Sequence, residues 1–329
     1  MLQYKSFAIM TRETLLDQAI RVLQKAEFMI SEKCDIRPRS FDVVARRGKT
    51  FLLIKVLSNI EGLGEDTSRE MRRLAVLFNG TPVVIGEHTN DHLLEGGAVY
   101  LRYGIPCINV ETFQDNFLEG VPPLVYAAPG GLYVEIDGDT LKEVRESKNI
   151  SLGELAKQLA VSRRSISKYE NGMNATIDIA LKLEEILDTP LAKPINMLVK
   201  FERPEDKPEN DMENASDLER DALRTMMSIG FDVFRTTRAP FNALSQDEDN
   251  KVLTGVSDYS EAVIKRARFM SSLADVADTY SVFIVKKMNK SRSIGNTVLV
   301  RHEDLKELDD SEDLLTMLLK KHAGKGVNN

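Results

Sequence analysis

Residues 151–172 read SLGELAKQLAVSRRSISKYENG, and their apolar spacing predicts two short helices joined by a tight turn. Ser151 is the predicted N-cap of the first helix, and Glu154 three residues later completes a capping box. Ser162 is the predicted N-cap of the second helix, which ends at Asn171-Gly172 because both residues tolerate the left-handed conformation. One buried face of the first helix is expected to consist of Leu152, Leu155, Ala156 and Leu159.

The second predicted helix starts with basic and hydroxyl side chains. Ile166 and Tyr169 are expected to point inward, which leaves the polar residues outside. A short helix of this kind is typical of helices that enter the major groove of DNA. The predicted DNA-binding residues are Ser151, Ser162, Arg163, Arg164, Ser165, Ser167 and Lys168. We expect Arg163 and Arg164 to reach guanine edges or phosphates, and Lys168 to meet phosphate.

The remaining hydroxyl residues have smaller predicted roles. Ser165 and Ser167 are expected to make shorter contacts, and Ser151 to offer its backbone N–H to a phosphate. Two other interpretations of residues 139–189 stay open. The segment is either a helical bundle with solvated charges, or a module that binds protein instead of DNA.

The motif resembles the Cro/C1-type helix-turn-helix of phage repressors. The matching residues are Ser151, Leu155, Ala156, Val161, Ser162, Ile166, Ser167, Glu170 and Gly172. Ala160 departs from the pattern, since the family usually has glycine in the turn. The longer run at 131–187 resembles archaeal HTH-type transcriptional regulators of about this length, over nearly the whole chain. The resemblance implies a role in transcription regulation.

Composition sets the class of protein. The 329 residues suffice for two or three domains, and neither a membrane-length apolar run nor a signal-peptide pattern is present. Cys34 and Cys107 lack metal-site spacing, which favours reduced structural thiols in a cytoplasmic protein. The net charge of −7 is unusual for a DNA binder. However, residues 141–172 hold seven Lys/Arg against four Asp/Glu, and the local charge matters most because salt screens distant charges.

The chain is predicted to have a central all-α helix-turn-helix domain between two α/β domains. The segment 201–217 is the clearest linker, because it is acidic and rich in Pro and Asn. The predicted parts are an α/β domain at 1–125, the helix-turn-helix domain at 131–200, the acidic linker at 201–217 and a second α/β domain at 218–329.

The two flanking blocks resemble each other, which indicates an internal duplication. Both have the predicted order helix, strand, turn, strand, helix, strand, followed by a short strand and helix. Five positions are identical at an offset of 200: Phe41/Phe241, Leu53/Leu253, Val56/Val256, Glu61/Glu261 and Val76/Val276. A chance likeness of two α/β segments is the alternative.

This order resembles the fold of restriction endonucleases and archaeal Holliday-junction resolvases. Active members carry an Asp and then Glu/Asp-x-Lys on the next strand, whose carboxylates hold a divalent metal. In the first block Asp42 and Lys55 fit the outer positions, but Leu53 occupies the second carboxylate position. The second block has Asn242, Leu253 and Gly255 at these positions. Both domains are therefore predicted to be degenerate, with Asp42 and Lys55 vestigial, unless a carboxylate reaches in from Glu13, Glu65 or Glu70.

The helix after the strand pair is basic in both blocks. We predict possible phosphate contacts from Arg69, Arg72 and Arg73, whose counterparts are Lys265, Arg266 and Arg268. A solvated helix face is the alternative.

Together these features predict a sequence-specific DNA-binding regulator that is not an enzyme. We expect double-stranded DNA and a second copy of the chain as partners, with no membrane, cofactor or metal. The flanking domains would serve dimerisation or DNA-backbone contact. Two alternatives are a DNA-processing nuclease or structure-specific DNA binder, and a transcription or repair scaffold that binds protein through the helix-turn-helix. The sequence does not indicate an effector.

Overall fold

The computed structural model describes residues 10–202, 212–288 and 293–323. Most of the predicted linker at 201–217 lies outside the described residues. The chain divides into two compact units. Unit 1 comprises Met1–Ala26, Leu57–Gly62 and Val84–Val199, and unit 2 comprises Glu27–Val56, Leu63–Val83 and Lys200–Asn329. The bounds of the three domains and the linker predicted above remain predictions.

From residue 10 onward, the first α/β block contains three α-helices and six strands. In chain order these are α1 (Arg12–Lys25), β1 (Met29–Ile30), β2 (Val43–Arg47), β3 (Thr50–Asn59), α2 (Glu65–Leu77), β4 (Thr81–His88), β5 (Ala98–Arg102), β6 (Ile105–Ile108) and α3 (Val110–Gln114). Single helical turns follow β3 and α3, at Ile60–Gly62 and Asp115–Glu119.

The middle of the chain is helical, as predicted, with short strands at its entry. The elements are β7 (Val125–Ala128), β8 (Gly131–Val134), α4 (Gly138–Ser147), α5 (Leu152–Gln158), α6 (Arg163–Glu170), β9 (Ala175–Thr176) and α7 (Ile177–Leu187). Strand β9 pairs antiparallel with β8, so the helical core is tied to the hairpin β7–β8. The helices enclose a core that includes Ile136, Leu141, Leu155, Ile166 and Leu183.

The second block repeats the plan of the first. Its elements are α8 (Asp217–Ser228), β10 (Asp232–Arg235), β11 (Ala243–Gln246), β12 (Lys251–Ser257), α9 (Glu261–Ala277), β13 (Tyr280–Val285), β14 (Ser293–Ile294), β15 (Thr297–Arg301), α10 (His302–Leu305) and α11 (Ser311–Ala323).

Strand order is the same in both blocks. The strands of the first block have the order β1-β2-β3-β4-β6-β5. The second block has the order β10-β11-β12-β13-β15-β14. The pairs β4/β6 and β13/β15 are both parallel, while β5/β6 and β14/β15 are both antiparallel. The duplication predicted from the sequence is therefore visible as a repeated topology.

The repeat extends to individual hydrogen bonds. The backbone N–H of Asp42 donates to the carbonyl of Ile54 at 2.7 Å, and that of Asn242 donates to the carbonyl of Thr254 at 2.8 Å. These pairs are separated by 200 residues, which is the offset of the sequence matches.

One apolar core of unit 2 draws on both blocks. The ring centroids of Phe41 and Phe269 lie 6.3 Å apart, and those of Phe78 and Phe241 lie 6.5 Å apart at a steep angle. Such tilted aromatic pairs stabilise beyond the area they bury. Because β2, β3 and α2 share this core with the second block, the compact unit does not follow the chain order of the predicted domains.

Both cysteines are free and buried. Burial raises the pKa of the Cys107 thiol to about 12 and also raises the pKa of Cys34. A buried thiol that resists ionisation is a poor nucleophile, as expected of a structural cysteine. In the described part of the chain, no helix is both long enough and apolar enough to span a bilayer.

Candidate nucleic-acid interface

The capping box predicted at the start of α5 is present. The Ser151 Oγ accepts the backbone N–H of Glu154 at 3.2 Å, and the Glu154 Oε2 accepts the backbone N–H of Ser151 at 2.8 Å. This pair of bonds corrects one prediction, because the Ser151 N–H is bonded to Glu154 instead of being offered to a phosphate.

Helix α6 starts at the predicted cap. The Ser162 Oγ accepts the backbone N–H of Ser165 at 3.0 Å, and the two hydroxyl oxygens lie 2.9 Å apart. Ile166 is fully buried and Tyr169 is 8% exposed, as the spacing predicted. Arg163, Arg164, Lys168, Ser151 and Ser162 are exposed, while Ser165 and Ser167 are half-buried. The predicted DNA-binding face is thus predominantly basic, and its serines lie at the cap or close to the core.

Arg163 packs against the first turn of α5. A Cβ added to Gly153 would lie 2.9 Å from the Arg163 Nε and 3.0 Å from its Nη2. The guanidinium therefore lies directly over Gly153, near the N-terminus of α5. A helix N-terminus and a cation on one surface both favour an anion.

Ala160, the residue that replaces the family's usual glycine, has a φ of 55°. Its backbone is left-handed, and this conformation costs a residue with a Cβ about 1–2 kcal/mol. The turn between α5 and α6 thus has alanine in a conformation that glycine adopts more readily.

Ala160→Gly is expected to raise the free energy of unfolding of the helical core by about 0.5–1 kcal/mol, because relief of strain exceeds the added freedom of the unfolded chain. Amide hydrogen exchange over 138–187 in the intact chain measures the effect. The matched control is Gln158→Gly in α5, which is expected to be destabilising; equal effects of the two changes would contradict the prediction.

A buried ion pair that the sequence analysis missed joins α4 to α6. The Arg145 Nε lies 2.5 Å from the Glu170 Oε1, and each side chain is 9% exposed. Arg145 also donates through Nη1 to the carbonyl of Ile150 at 3.0 Å. The hydrogen bond to Glu170 raises the pKa of Arg145. The available sequence signal was the position of Arg145, four residues after Leu141 and so on the buried face of α4.

The start of α4 approaches the end of α6 closely. A Cβ on Gly138 would collide with the backbone carbonyl of Glu170 and lie 2.8 Å from the carbonyl oxygen of Tyr169. Backbone atoms cannot move aside as a flexible side chain can, so this crossing requires glycine. Together with the ion pair, the close approach fixes the position of α6 relative to α4.

The nuclease-like residues of the first block form a closed cluster. Asp42 is fully buried, its Oδ1 lies 2.8 Å from the Arg39 Nε and 3.9 Å from the Lys55 Nζ, and its Oδ2 accepts the backbone N–H of Val56 at 2.7 Å. The Lys55 Nζ donates to the carbonyl of Arg39 at 3.1 Å. The Lys55 side chain is only 11% exposed, so it is enclosed with Asp42 and does not extend into solvent.

These residues do not fit the divalent metal that the nuclease fold implies. Such a metal needs several oxygen ligands, yet Leu53 at the second carboxylate position is fully buried in the core. Both oxygens of Asp42 already bind protein groups, and Glu65 pairs with Arg69 at 3.0 Å. Within the described ranges no group of three His, Cys, Asp or Glu side chains is placed to hold a metal ion.

The basic residues of α2 differ in their surroundings. Arg69 is 61% exposed and pairs with Glu65 and, at 3.7 Å, with Asp66. Arg72 and Arg73 are half-buried. Phosphate contact by these three residues remains a prediction, and Arg69 would have to exchange its carboxylate partners for phosphate.

Comparison with known proteins agrees with this arrangement. A family model described as a PD-(D/E)XK superfamily domain matches residues 12–123, and a helix-turn-helix model matches residues 141–193. A protein of Methanocella arvoryzae named "Putative HTH-type transcriptional regulatory protein" is 69% identical over 319 residues, which cover 96% of this chain and 98% of that protein. This chain belongs to that family.

Other members of the family show the same full-length match. Proteins with the same name from Methanococcoides burtonii and Methanosarcina acetivorans are 50% and 46% identical, over 94% of this chain and 97% of each relative. No solved structure matches the chain. The family, the helix-turn-helix and the nuclease-like N-terminal domain predicted from the sequence are confirmed.

Proposed function

We propose that this chain is a sequence-specific DNA-binding transcriptional regulator whose reading element is α6. The observation that carries the proposal is the exposed basic start of α6, held in place by the Ser162 cap and by the Arg145–Glu170 ion pair. A rigid helix with exposed arginines at its N-terminus suits direct readout of base edges.

The residues have distinct proposed roles. Arg164 reaches a guanine edge, Arg163 meets a phosphate together with the first amides of α5, and Lys168 meets phosphate. The capping serines, Ser151 and Ser162, fix the helix starts, whereas Ser165 and Ser167 make short contacts at the edge of the interface. The flanking domains would serve dimerisation or backbone contact, the latter through Arg69, Arg72 and Arg73.

Selection of bound genomic fragments tests the proposal. We expect the wild type to enrich a short site that the Arg163→Ala/Arg164→Ala variant loses, because each bidentate arginine–base contact is worth about 1–3 kcal/mol. The control is Lys182→Ala/Glu185→Ala on exposed positions of α7, which should retain the site. If the wild type enriches no site, the chain is not a sequence-specific regulator. A scaffold role would then require the same arginines for binding a protein partner.

We further propose a homodimer on a roughly palindromic operator, since one module of this size buries little surface and such motifs bind as pairs. Light scattering of the eluted protein is expected to give about twice the chain mass. Footprinting should protect two half-sites about one helical turn apart. A monomer that protects a single half-site would overturn this part.

We propose that the chain is not an enzyme, because Asp42 lacks a second carboxylate and is already paired. Because residues 12–123 match a nuclease superfamily, the absence of nuclease activity should be tested directly. Supercoiled, linear and branched DNA incubated with Mg²⁺ or Mn²⁺ should remain intact. Cleavage that disappears in Asp42→Asn would overturn the proposal.

A further inference from the structure

The second block has a cleft of 490 Å³ at the position of its lost nuclease site. This volume is within the range of small-molecule sites, about 300–1,000 Å³. Asn242, the counterpart of Asp42, lies on the wall. The charged side chains that line the cleft are Arg37, Arg235, Arg266 and Glu219. All belong to unit 2, and three cations face one carboxylate.

In the second block, Arg266 supplies the positive charge that Lys55 supplies in the first block. The chain has Gly255 where the first block has Lys55, and a Cβ there would lie 2.5 Å from the Phe283 Cδ2, so the phenyl ring fills that space. Arg266 reaches over the ring from α9, with its guanidinium carbon 5.1 Å from the ring centroid. Its Nη2 donates to the Asn242 Oδ1 at 2.7 Å. The cation beside residue 242 is thus retained while the anion is lost.

Within the described ranges Arg266 makes no ion pair, although the charge of Glu219 on the same cleft acts on it from a distance. Its Nε donates to the carbonyl of Pro240 at 3.0 Å, and both of its acceptors are therefore neutral oxygens. Among the residues that the structure describes, no carboxylate lies within 4 Å of its guanidinium. Glu219 is paired with Arg235 at 2.8 Å instead. Burial lowers the pKa of Arg266 and outweighs the opposite effect of the Glu219 charge, so an anion that entered the cleft would stabilise a charge that is poorly solvated.

We propose that this cleft, here called the Arg266 cleft, binds a phosphate group. Arg266 is the principal donor, and the exposed Arg37 and Thr237 contribute from the rim. Guanidinium groups match phosphate geometry, and charge-assisted hydrogen bonds of this kind are the strong ones. The first block cannot do the same, because Asp42 places a carboxylate against its cations. The inference does not depend on the role proposed for α6.

The decisive variant is Asn242→Asp, which restores the residue of the first block. Aspartate has nearly the same shape and keeps the acceptor for the Val256 N–H, so the fold should survive. It would also pair with Arg266 and repel a phosphate. Calorimetric titration of the intact chain with inorganic phosphate and with adenosine monophosphate is expected to show binding. We expect this binding to weaken about tenfold or more in Asn242→Asp and in Arg266→Gln.

A matched control is Arg268→Gln, which removes an exposed cation from the same helix and should leave phosphate binding unchanged. Thermal melts of each variant establish that the protein is folded. Equal phosphate affinity in wild type, Asn242→Asp and Arg266→Gln would overturn the proposal if duplex binding is also unchanged.

A second measurement distinguishes a DNA phosphate from a free phosphate ester. It compares duplex binding with and without Arg266→Gln in a protein that also carries Arg163→Ala/Arg164→Ala. If the phosphate belongs to DNA, Arg266→Gln should change the salt dependence of the residual duplex binding. The slope of the logarithm of the binding constant against the logarithm of salt concentration should become shallower by about 0.9, which corresponds to one phosphate contact. If it belongs to a free phosphate ester, the nucleotide titration responds and the duplex slope does not. Since the α6 arginines are absent throughout, failure of the regulator proposal does not affect this result.

Discussion

Arg145→Ala is expected to destabilise the helix-turn-helix core by about 3–5 kcal/mol, the usual cost of breaking a buried ion pair from one side. Glu170 would keep its charge at a site where its side chain is 9% exposed, and the carbonyl of Ile150 would lose a donor. Because the pair connects α4 to α6, the first consequence is loss of the fixed position of α6. DNA affinity should fall with the stability of this core.

Hydrogen exchange on the intact chain localises this effect. Peptides from 138–187 should exchange faster in Arg145→Ala, while peptides of unit 2 should not change. Lys142→Ala, an exposed change in the same helix, is the matched control. The double variant Arg145→Met/Glu170→Leu should recover most of the protection, since an apolar pair of similar volume often replaces a buried ion pair without loss. Equal exchange in Arg145→Ala and Lys142→Ala would refute the structural role of the pair.

Asp42→Ala is expected to lower the free energy of unfolding of unit 2 by a similar amount, about 3–5 kcal/mol. The change would leave Arg39 and Lys55 without their shared carboxylate and would remove the acceptor of the Val56 N–H. Urea denaturation followed by circular dichroism measures the loss, with Asp35→Ala as an exposed control on the preceding segment.

Asp42→Asn separates the two contributions of this side chain. The amide oxygen can still accept the Val56 N–H, as Asn242 accepts the Val256 N–H at 2.8 Å in the second block. Only the charge is lost, so the cost should be smaller than that of Asp42→Ala. If Asp42 were a dispensable remnant of catalysis, both variants would be as stable as the wild type.

Local features of the interface were predictable from the sequence because they depend on neighbouring residues. The Ser151–Glu154 box and the Ser162 cap each join residues three positions apart, and the burial of Ile166 and Tyr169 follows from helical periodicity. The repeated topology was also predictable, because the same order of predicted helices and strands occurs in both blocks and each copy supports the assignment of the other.

The missed features depend on tertiary contacts. Arg145 and Glu170 are 25 residues apart, and their pairing requires knowledge of how α4 crosses α6. In the same way, Arg266 was predicted only as one of three cations on a helix surface, although its side chain turns inward over Phe283. A long side chain at the border between the buried and exposed faces of a helix can turn toward either face, so periodicity alone does not determine its direction.

Leu53 has a consequence for the history of the first block. Its side chain fills the core at the place where a nuclease needs its second carboxylate. Returning an acid to this position would bury an uncompensated charge and open a void among the surrounding rings, so the reverting protein would be less stable before it gained any activity. Packing around position 53 therefore opposes the return of an acid there, whatever constraints now act on the surrounding fold.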